Sequence, residues 1–276
     1  MNFIEGILLG VLQGLTEFLP VSSSGHLVIV QSLISGFQQP GVLFDVMLHF
    51  GTLIAVILYF KKDIRDLLQS LIYNAAHLAA FSKEKSDDIL IKRKWCWFIF
   101  WGTIITGAVG LTFKNQIEKV FFSPTISACM LLVTGVLLFM ADQVKHPIRT
   151  EGDLNLPDTI IIGVVQGISL IPGISRSGST IAFGLFRGLN GETSARFSFL
   201  LSIPAIIGVT LMELGNIRFL SYRECAVYLS GMTAACLTGL LAIKFLLILI
   251  RKRNLKYFSF YCWVVGLSIL IHGFLP

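Results

Sequence analysis

The chain has 276 residues, of which 54% are hydrophobic and only 14% are charged, and its formal net charge is +6. A soluble domain of this size usually carries about 25% charged residues, so the composition excludes an ordinary soluble domain and indicates an integral membrane protein. The positive charge does not indicate a nucleic-acid partner, because Lys and Arg fall in short runs between apolar stretches, as topology determinants do.

Six apolar stretches are long enough to cross a bilayer. They lie at residues 43–60, 96–112, 124–141, 197–214, 225–250 and 257–275. Two further apolar regions, residues 3–35 and 159–190, are interrupted by Pro, Ser and Gly at 20–25 and 172–178. Because each half is short for a full crossing, and Pro and Gly interrupt helices, both regions are predicted to be re-entrant helix–loop–helix hairpins.

The distribution of basic residues favours this topology. If each hairpin enters and leaves on one side, 16 Lys and Arg residues share a side and only 4 lie opposite. The basic loops are 61–95, 142–157, 187–196 and 251–256. The positive-inside rule then places these loops in the cytoplasm and both termini outside it. The first hairpin would enter from outside and the second from the cytoplasm.

An internal repeat relates the two broken regions at a single offset of 153 residues. Residues 10–14, Gly-Val-Leu-Gln-Gly, align with 163–167, Gly-Val-Val-Gln-Gly, and the Ser-Ser-Ser-Gly of the first break aligns with Ser-Arg-Ser-Gly of the second. Three spans separate the hairpins, and that odd number inverts the repeats in the membrane. Inverted repeats with broken helices place a site near the midplane. We therefore predict one all-α membrane domain, residues 1–276, with repeat 1 at about 1–141 and repeat 2 at about 154–276.

The breaks carry residues suited to phosphate. Each break ends at the start of a helix, where free N–H groups and a partial positive charge favour anions. Ser and Gly let the backbone approach a phosphate and add hydroxyl donors, although simple helix packing uses the same residues. Arg176 offers a fork that matches phosphate oxygens, with a snorkelling arginine as the alternative. The predicted phosphate-binding residues are Ser24, Gly25, Ser175, Arg176, Ser177 and Thr180.

Other polar residues of the breaks suit catalysis. Gln13 and Glu17 share a helix face and could hold a hard divalent cation through oxygen or orient a water; a helix-end pair bonded to backbone is the alternative. His26 could be a nucleophile, a general base or a general acid, or only a capping or packing residue. The predicted catalytic residues are Glu17, Ser23, His26 and Arg176, and Asp45 and His49 are weaker candidates that add polarity near the site.

These motifs resemble a known family. Residues 13–26, Gln-Gly-Leu-Thr-Glu-Phe-Leu-Pro-Val-Ser-Ser-Ser-Gly-His, and 172–180, Pro-Gly-Ile-Ser-Arg-Ser-Gly-Ser-Thr, resemble the two signatures of the bacitracin-resistance family of undecaprenyl-diphosphate phosphatases. The resemblance implies a bundle of six transmembrane helices and two re-entrant hairpins in the bacterial plasma (inner) membrane. It also implies hydrolysis of the terminal phosphate of a C55 polyprenyl diphosphate, recycling of the monophosphate for peptidoglycan and other envelope polymers, bacitracin tolerance, and a divalent cation, Mg or Ca. The family has Glu or Gln where this chain has Gln13, which shifts weight to Glu17.

A transporter or lipid flippase is the alternative function, because inverted repeats with broken midplane helices are a transporter architecture. Glu17, His26 and Arg176 together favour a hydrolase. The nucleophile stays open among Ser23, His26 and a water activated by His26. The expected partners are a polyprenyl diphosphate and membrane lipids, with a homodimer also possible, and the phosphate site is expected to face outward.

Overall fold

A computed structural model of the chain describes residues 2–33, 42–73, 81–121, 123–145, 147–214 and 221–274. These residues form twelve α-helices and one short 3₁₀ helix at Glu151–Asp153, as the all-α prediction requires. The helices are α1 (Phe3–Phe18), α2 (Ser23–Leu33), α3 (Val42–Tyr59), α4 (Lys61–Ile72), α5 (Lys83–Thr112), α6 (Lys114–Val120), α7 (Pro124–Asp142), α8 (Leu156–Ile168), α9 (Arg176–Phe186), α10 (Gly191–Leu214), α11 (Tyr222–Arg251) and α12 (Lys256–Phe274).

Four of these helices, α5, α7, α10 and α11, are long and apolar enough to cross a membrane. A fifth span forms if α3 and α4 are taken together, although the pair bends by 72°. The predicted span at 257–275 falls on α12, whose described apolar stretch, Lys256–His272, is a shorter helix; residue 275 lies outside the described residues. The prediction of a polytopic helical membrane protein is confirmed, with four to five spans by length and composition.

Both predicted breaks are present. Helix α1 ends at Phe18 and α2 begins at Ser23, whereas α8 ends at Ile168 and α9 begins at Arg176. The four helices have 16, 11, 13 and 11 residues, and a crossing needs about 20. Helices α2 and α9 begin earlier than predicted, at Ser23 and Arg176. The Ser-Ser-Gly and Arg-Ser-Gly triplets at 23–25 and 176–178 therefore lie in the first turn of a helix rather than in the breaks. Gly173, with φ +94°, supplies the left-handed residue of the second break.

The paired Gly-Val-x-Gln-Gly motifs are helix-crossing points. Helix α1 packs along α11, and α8 packs along α5. A Cβ on Gly10 would collide with the carbonyl oxygen of Gly231 on α11. The equivalent glycine of the second repeat, Gly163, would place a Cβ 2.9 Å from the carbonyl oxygen of Gly102 on α5. Small residues let membrane helices approach this closely, so each repeat uses its motif to seat the first arm of its hairpin on a long helix.

Polar contacts join the four basic loops to one another. Each of these loops contacts another one of the set, so the four lie at the same end of the helix bundle, here called the basic end. The contacts are Lys92–Glu151 (3.0 Å), Arg196–Asp63 (3.4 Å), Arg251–Glu192 (3.0 Å) and the N–H of Leu255 with Asp142 Oδ1 (2.8 Å).

An ion cluster joins the start of α8 to the end of α9, at the ends of these helices that lie away from the second break. Asp158, in the first turn of α8, is fully buried and accepts from Arg149 Nη2 at 2.6 Å and from Arg187 Nε at 2.8 Å. Arg187 is the C-cap residue of α9. The start of α8 and the end of α9 therefore meet, and they do so at the basic end.

Candidate active site

The two breaks meet inside the bundle. We call residues 19–22, between α1 and α2, the first elbow, and residues 169–175, between α8 and α9, the second elbow. Ser22 takes a left-handed backbone conformation, with φ 68°, which costs energy in a residue other than glycine. Its Oγ accepts from the backbone N–H groups of Gly173 at 3.1 Å and Gly25 at 3.3 Å. One hydroxyl thus ties the second elbow to the helix that follows the first.

Two further side chains fix the elbows in place. Ser177 Oγ donates to the carbonyl oxygen of Leu19 at 3.3 Å, which joins α9 to the first elbow. Thr134, on α7, donates to the carbonyl oxygen of Gly173 at 2.8 Å and accepts from the N–H of Ser175 at 3.0 Å. The sequence did not point to Thr134, because nothing near it in the chain marks it as a neighbour of an elbow.

A buried ion pair lies at the junction. Arg176 Nη2 donates to Glu17 Oε1 at 2.5 Å. The other carboxylate oxygen, Oε2, accepts from Ser23 Oγ at 2.5 Å and from Gln13 Nε2 at 3.0 Å. The side chains of Glu17 and Arg176 are 7% and 16% exposed, so both charges are removed from water. A buried charge without its partner is strongly destabilising, so each charge of the pair depends on the other.

Arg176 keeps one nitrogen unused. Its Nη1 is buried and has no hydrogen-bond partner among the described residues. Buried donors are almost always partnered in proteins, so an orphan of this kind needs an explanation. A second oxygen anion beside Nη1 would complete the fork of the guanidinium.

A cavity of about 230 Å³ opens beside this centre. Its polar wall is built from both elbows, from the helix ends next to them and from α3, and its apolar wall is built mainly from the second elbow and α10. The polar wall contains Glu17, Ser22, Ser23, Ser24, Asp45, His49, Ser175 and Arg176, and the apolar wall contains Leu170, Ile174, Ala205, Ile206, Val209 and Phe121. The volume suits a polar head group and the first part of an attached chain.

The predicted site residues divide into two groups. Five of them line the cavity: Glu17, Ser23, Ser24, Ser175 and Arg176. Gly25, Ser177, Thr180, Gln13 and His26 do not line it. Thr180 Oγ1 donates to the carbonyl oxygen of Arg176 at 2.8 Å and contacts Ser198 Oγ at 2.5 Å, so it joins α9 to α10. Gly25 and Ser177 hold the elbows together, as described above.

His26 packs toward α12. Its Nδ1 lies 2.8 Å from the carbonyl oxygen of Ser22, and its Nε2 lies 2.9 Å from the hydroxyl of Tyr261. The two rings are stacked, with centroids 5.6 Å apart. The expected convergence of His26 with Glu17 and the other catalytic candidates is therefore not what the structure has.

His49 lies closer to the centre than the sequence suggested. Its Nδ1 is 2.7 Å from Gln13 Nε2 and 3.5 Å from Glu17 Oε2, and the ring lines the cavity. The repeat contained a signal for it. The 153-residue offset pairs His49 with Ser202, and both residues line the cavity.

A divalent cation would need ligands from outside the protein. No group of three or more His, Cys, Asp and Glu side chains is placed to hold a metal ion in the described part of the chain. Gln13 Oε1 is a buried oxygen with no partner there, whereas both oxygens of Glu17 already accept hydrogen bonds. Mg²⁺ commonly takes one or two carboxylates and completes its shell with substrate phosphates and waters. The donor set fits a cation on those terms.

Known proteins resemble the chain over nearly its whole length. A family model described as bacitracin resistance protein BacA matches residues 6–268. The chain is 45% identical to the undecaprenyl-diphosphatase of Syntrophotalea carbinolica, over 96% of this chain and 97% of that protein. It is 41% identical to that of Desulfatibacillum aliphaticivorans, over 99% and 100%, and 38% identical to that of Methanobrevibacter smithii, over 98% of both. The similarity therefore extends far beyond the two elbows.

Proposed function

The chain belongs to the family of bacitracin resistance protein BacA, and from that membership and from the site we infer that it is an undecaprenyl-diphosphatase. It is a multi-pass membrane hydrolase that converts undecaprenyl diphosphate to undecaprenyl phosphate and inorganic phosphate. The monophosphate returns to peptidoglycan and envelope-polymer synthesis, and removal of the diphosphate gives bacitracin tolerance. The observation that carries this function is Arg176, which lines the cavity and keeps a buried Nη1 without a partner among the described residues, because it offers a buried cation to a diphosphate.

Arg176 and the second elbow form the phosphate-holding half of the site. Phosphoryl transfer spreads negative charge over three oxygens of the transferred group, and catalysis consists mainly of positioning and charge stabilisation. Arg176 occupies the first turn of α9, and Ser175 caps that helix. The guanidinium and the partial positive charge of the helix N-terminus therefore act on the same side of the cavity.

Glu17 and Ser23 form the reacting half. The hydroxyl of Ser23 already donates to Glu17 Oε2 at 2.5 Å, which is the arrangement of a nucleophile beside its base. Ser23 Oγ attacks the terminal phosphorus, Glu17 takes the hydroxyl proton, and undecaprenyl phosphate leaves. Water then releases phosphate from the serine. We favour Ser23 over His26, because the described contacts of His26 are with Ser22 and Tyr261.

The divalent cation, Mg or Ca, belongs to the same proposal. Glu17 and the unpartnered Oε1 of Gln13 are the protein oxygens that would hold it, with the diphosphate completing the shell. When bound, it would neutralise charge on the phosphate oxygens.

Purified protein in detergent should release inorganic phosphate from undecaprenyl diphosphate without any ion gradient, and EDTA should slow the release. Rapid quenching of a reaction with substrate labelled in the terminal phosphate should trap label on Ser23. Release of phosphate with no labelled protein would assign the attack to water. A protein that is folded, loaded with Mg²⁺ and unable to release phosphate would support the alternative of a transporter or flippase.

We further propose the full architecture of six spans and two re-entrant hairpins, related as inverted repeats at about 1–141 and 154–276. The common location of the four basic loops supports it, because α8 and α9 must then return to the end they started from. The meeting of Asp158 with Arg187 supports the same return. The matched packing of α1 on α11 and α8 on α5 supports the repeat.

The site is proposed to face outward in the plasma membrane, with both termini outside. Phe121 and Thr210 line the cavity, and they lie near the loops opposite the basic end. In a variant without native cysteines, a membrane-impermeant maleimide should label Ser221→Cys in intact cells and should spare Ser82→Cys, since both positions are exposed. The reverse pattern would refute the orientation. The proposed partners are the substrate and bilayer lipids, and the homodimer stays a prediction.

A further inference from the structure

His49 is a polar side chain of the cavity to which the reaction above gives no role. It projects from α3 beside the reacting half, and its side chain is 32% exposed while its neighbour Glu17 is 7% exposed. One edge of the ring faces the protein through Nδ1, which contacts Gln13. Within the described residues no group hydrogen-bonds to the other ring nitrogen, Nε2.

The amide of Gln13 has a fixed orientation. Its Nε2 lies 3.0 Å from Glu17 Oε2, and turning the amide over would bring two acceptor oxygens to that distance. The amide nitrogen has two hydrogens and no lone pair to offer. One hydrogen serves Glu17, and the second points to His49 Nδ1 at 2.7 Å.

This contact selects one tautomer of His49. Because Gln13 Nε2 can only donate, Nδ1 must be the accepting, unprotonated nitrogen of the ring. The single ring proton of His49 is therefore on Nε2. The hydrogen bond made by one ring nitrogen commonly decides which of the two nitrogens carries the proton.

We propose that His49 is a further catalytic residue, which donates a hydrogen bond from Nε2–H to a phosphate oxygen of the bound diphosphate and whose ring Gln13 orients by donating to Nδ1. The proposal rests on the proposed function. A neutral imidazole can polarise an oxygen in this way without transferring its proton. With Arg176 it would bring two different donors to the charge that develops in the transition state.

The tautomer can be measured without any substrate. In protein labelled with ¹⁵N-histidine, NMR should show His49 protonated at Nε2 and unprotonated at Nδ1 at neutral pH. The resonances of His49 are assigned by their loss in His49→Gln. Gln13→Glu should move the ring proton to Nδ1 or add a second proton, because a carboxylate accepts where the amide donates. A wild-type His49 protonated at Nδ1 would overturn the proposal.

Steady-state kinetics provide a second test of the proposed role of His49. His49→Phe fills the same space without a donor and should lower kcat/KM by about 10²-fold, mostly in kcat, as loss of one transition-state donor does. His49→Gln restores an N–H donor and should recover much of that loss. Unchanged kcat/KM in His49→Phe, or equal losses in both variants, would overturn the proposal, provided that both elute and melt as wild type does.

Failure of the proposed function can be told apart from failure of this proposal. If wild-type protein releases no phosphate at all, the proposed function fails, whereas the NMR result stands or falls independently.

Discussion

Arg176→Ala should lower kcat/KM for undecaprenyl diphosphate by about 10³-fold or more, the scale on which a single arginine contributes to phosphoryl transfer. The expected cause is loss of the guanidinium that contacts Glu17 and lines the cavity. Phosphate release from purified protein measures the loss. Arg176→Lys keeps the charge but loses the fork, so that it should recover only part of the activity.

The same substitution should also destabilise the protein, and the two effects can be separated. Removing Arg176 leaves Glu17 as a buried, unpaired carboxylate, which typically costs about 3–5 kcal/mol. The double variant Arg176→Ala with Glu17→Gln removes both charges and should melt close to wild type while remaining inactive. Arg251→Ala, at an arginine that is 64% exposed, is the matched control and should keep full activity. Full activity in Arg176→Ala would refute the site.

Glu17→Gln should lower the rate of phosphate release by about 10²–10⁴-fold, the range expected when a general base is lost. The amide keeps the size of the side chain, but it cannot take the proton of Ser23. No phosphorylated serine should accumulate in this variant. Ser23→Ala should be equally inactive if the serine is the nucleophile.

Glu5→Gln is the matched control for that experiment. Glu5 lies on the same helix and forms a capping box with Asn2, a role that Gln also fills. Its activity should stay at the wild-type level. Normal turnover by Glu17→Gln would contradict the assigned base, and normal turnover by Ser23→Ala would transfer the attack to water.

The broken helices and the repeat could be predicted because their signals are local. Pro20 and the Pro172-Gly173 pair favour a break in a helix through their own backbone chemistry, and the offset of 153 residues can be read from the sequence without a folded structure. Glu17, Ser23 and Arg176 were found for the same reason, since each lies in or next to a break. These three are also the residues that the fold brings together.

Side-chain directions could not be predicted, because they depend on helices far away in sequence. His26 lies one turn after Ser23, yet its partner Tyr261 is 235 residues away. Thr180 follows Arg176 by four residues and contacts α10 rather than the cavity. A first helical turn offers several faces to its surroundings, and only packing decides which one meets the substrate.

His49 is the reverse case: it lies at the site, although the sequence marked it only as a weaker candidate. It lies inside an apolar span with no break beside it, and its sequence neighbours are typical of a lipid-facing helix. Its position beside Gln13 arises because α3 packs on the helices that surround the elbows, α1, α10 and α11. The charge and hydropathy of a single helix do not contain that information.

The packing of α1 on α11 has a consequence for biogenesis. Helix α1 leaves the ribosome before α11, which begins only at Tyr222 and covers the glycine-lined face of α1. At ordinary synthesis rates of about 5–20 residues per second, the first arm waits on the order of ten seconds or longer for its partner. Arg176 is synthesised 159 residues after Glu17, so Glu17 spends most of that interval without its ion-pair partner. The catalytic half is thus made before both the arginine that pairs with it and the helix that covers it, and membrane insertion must accommodate an unpaired carboxylate in the meantime.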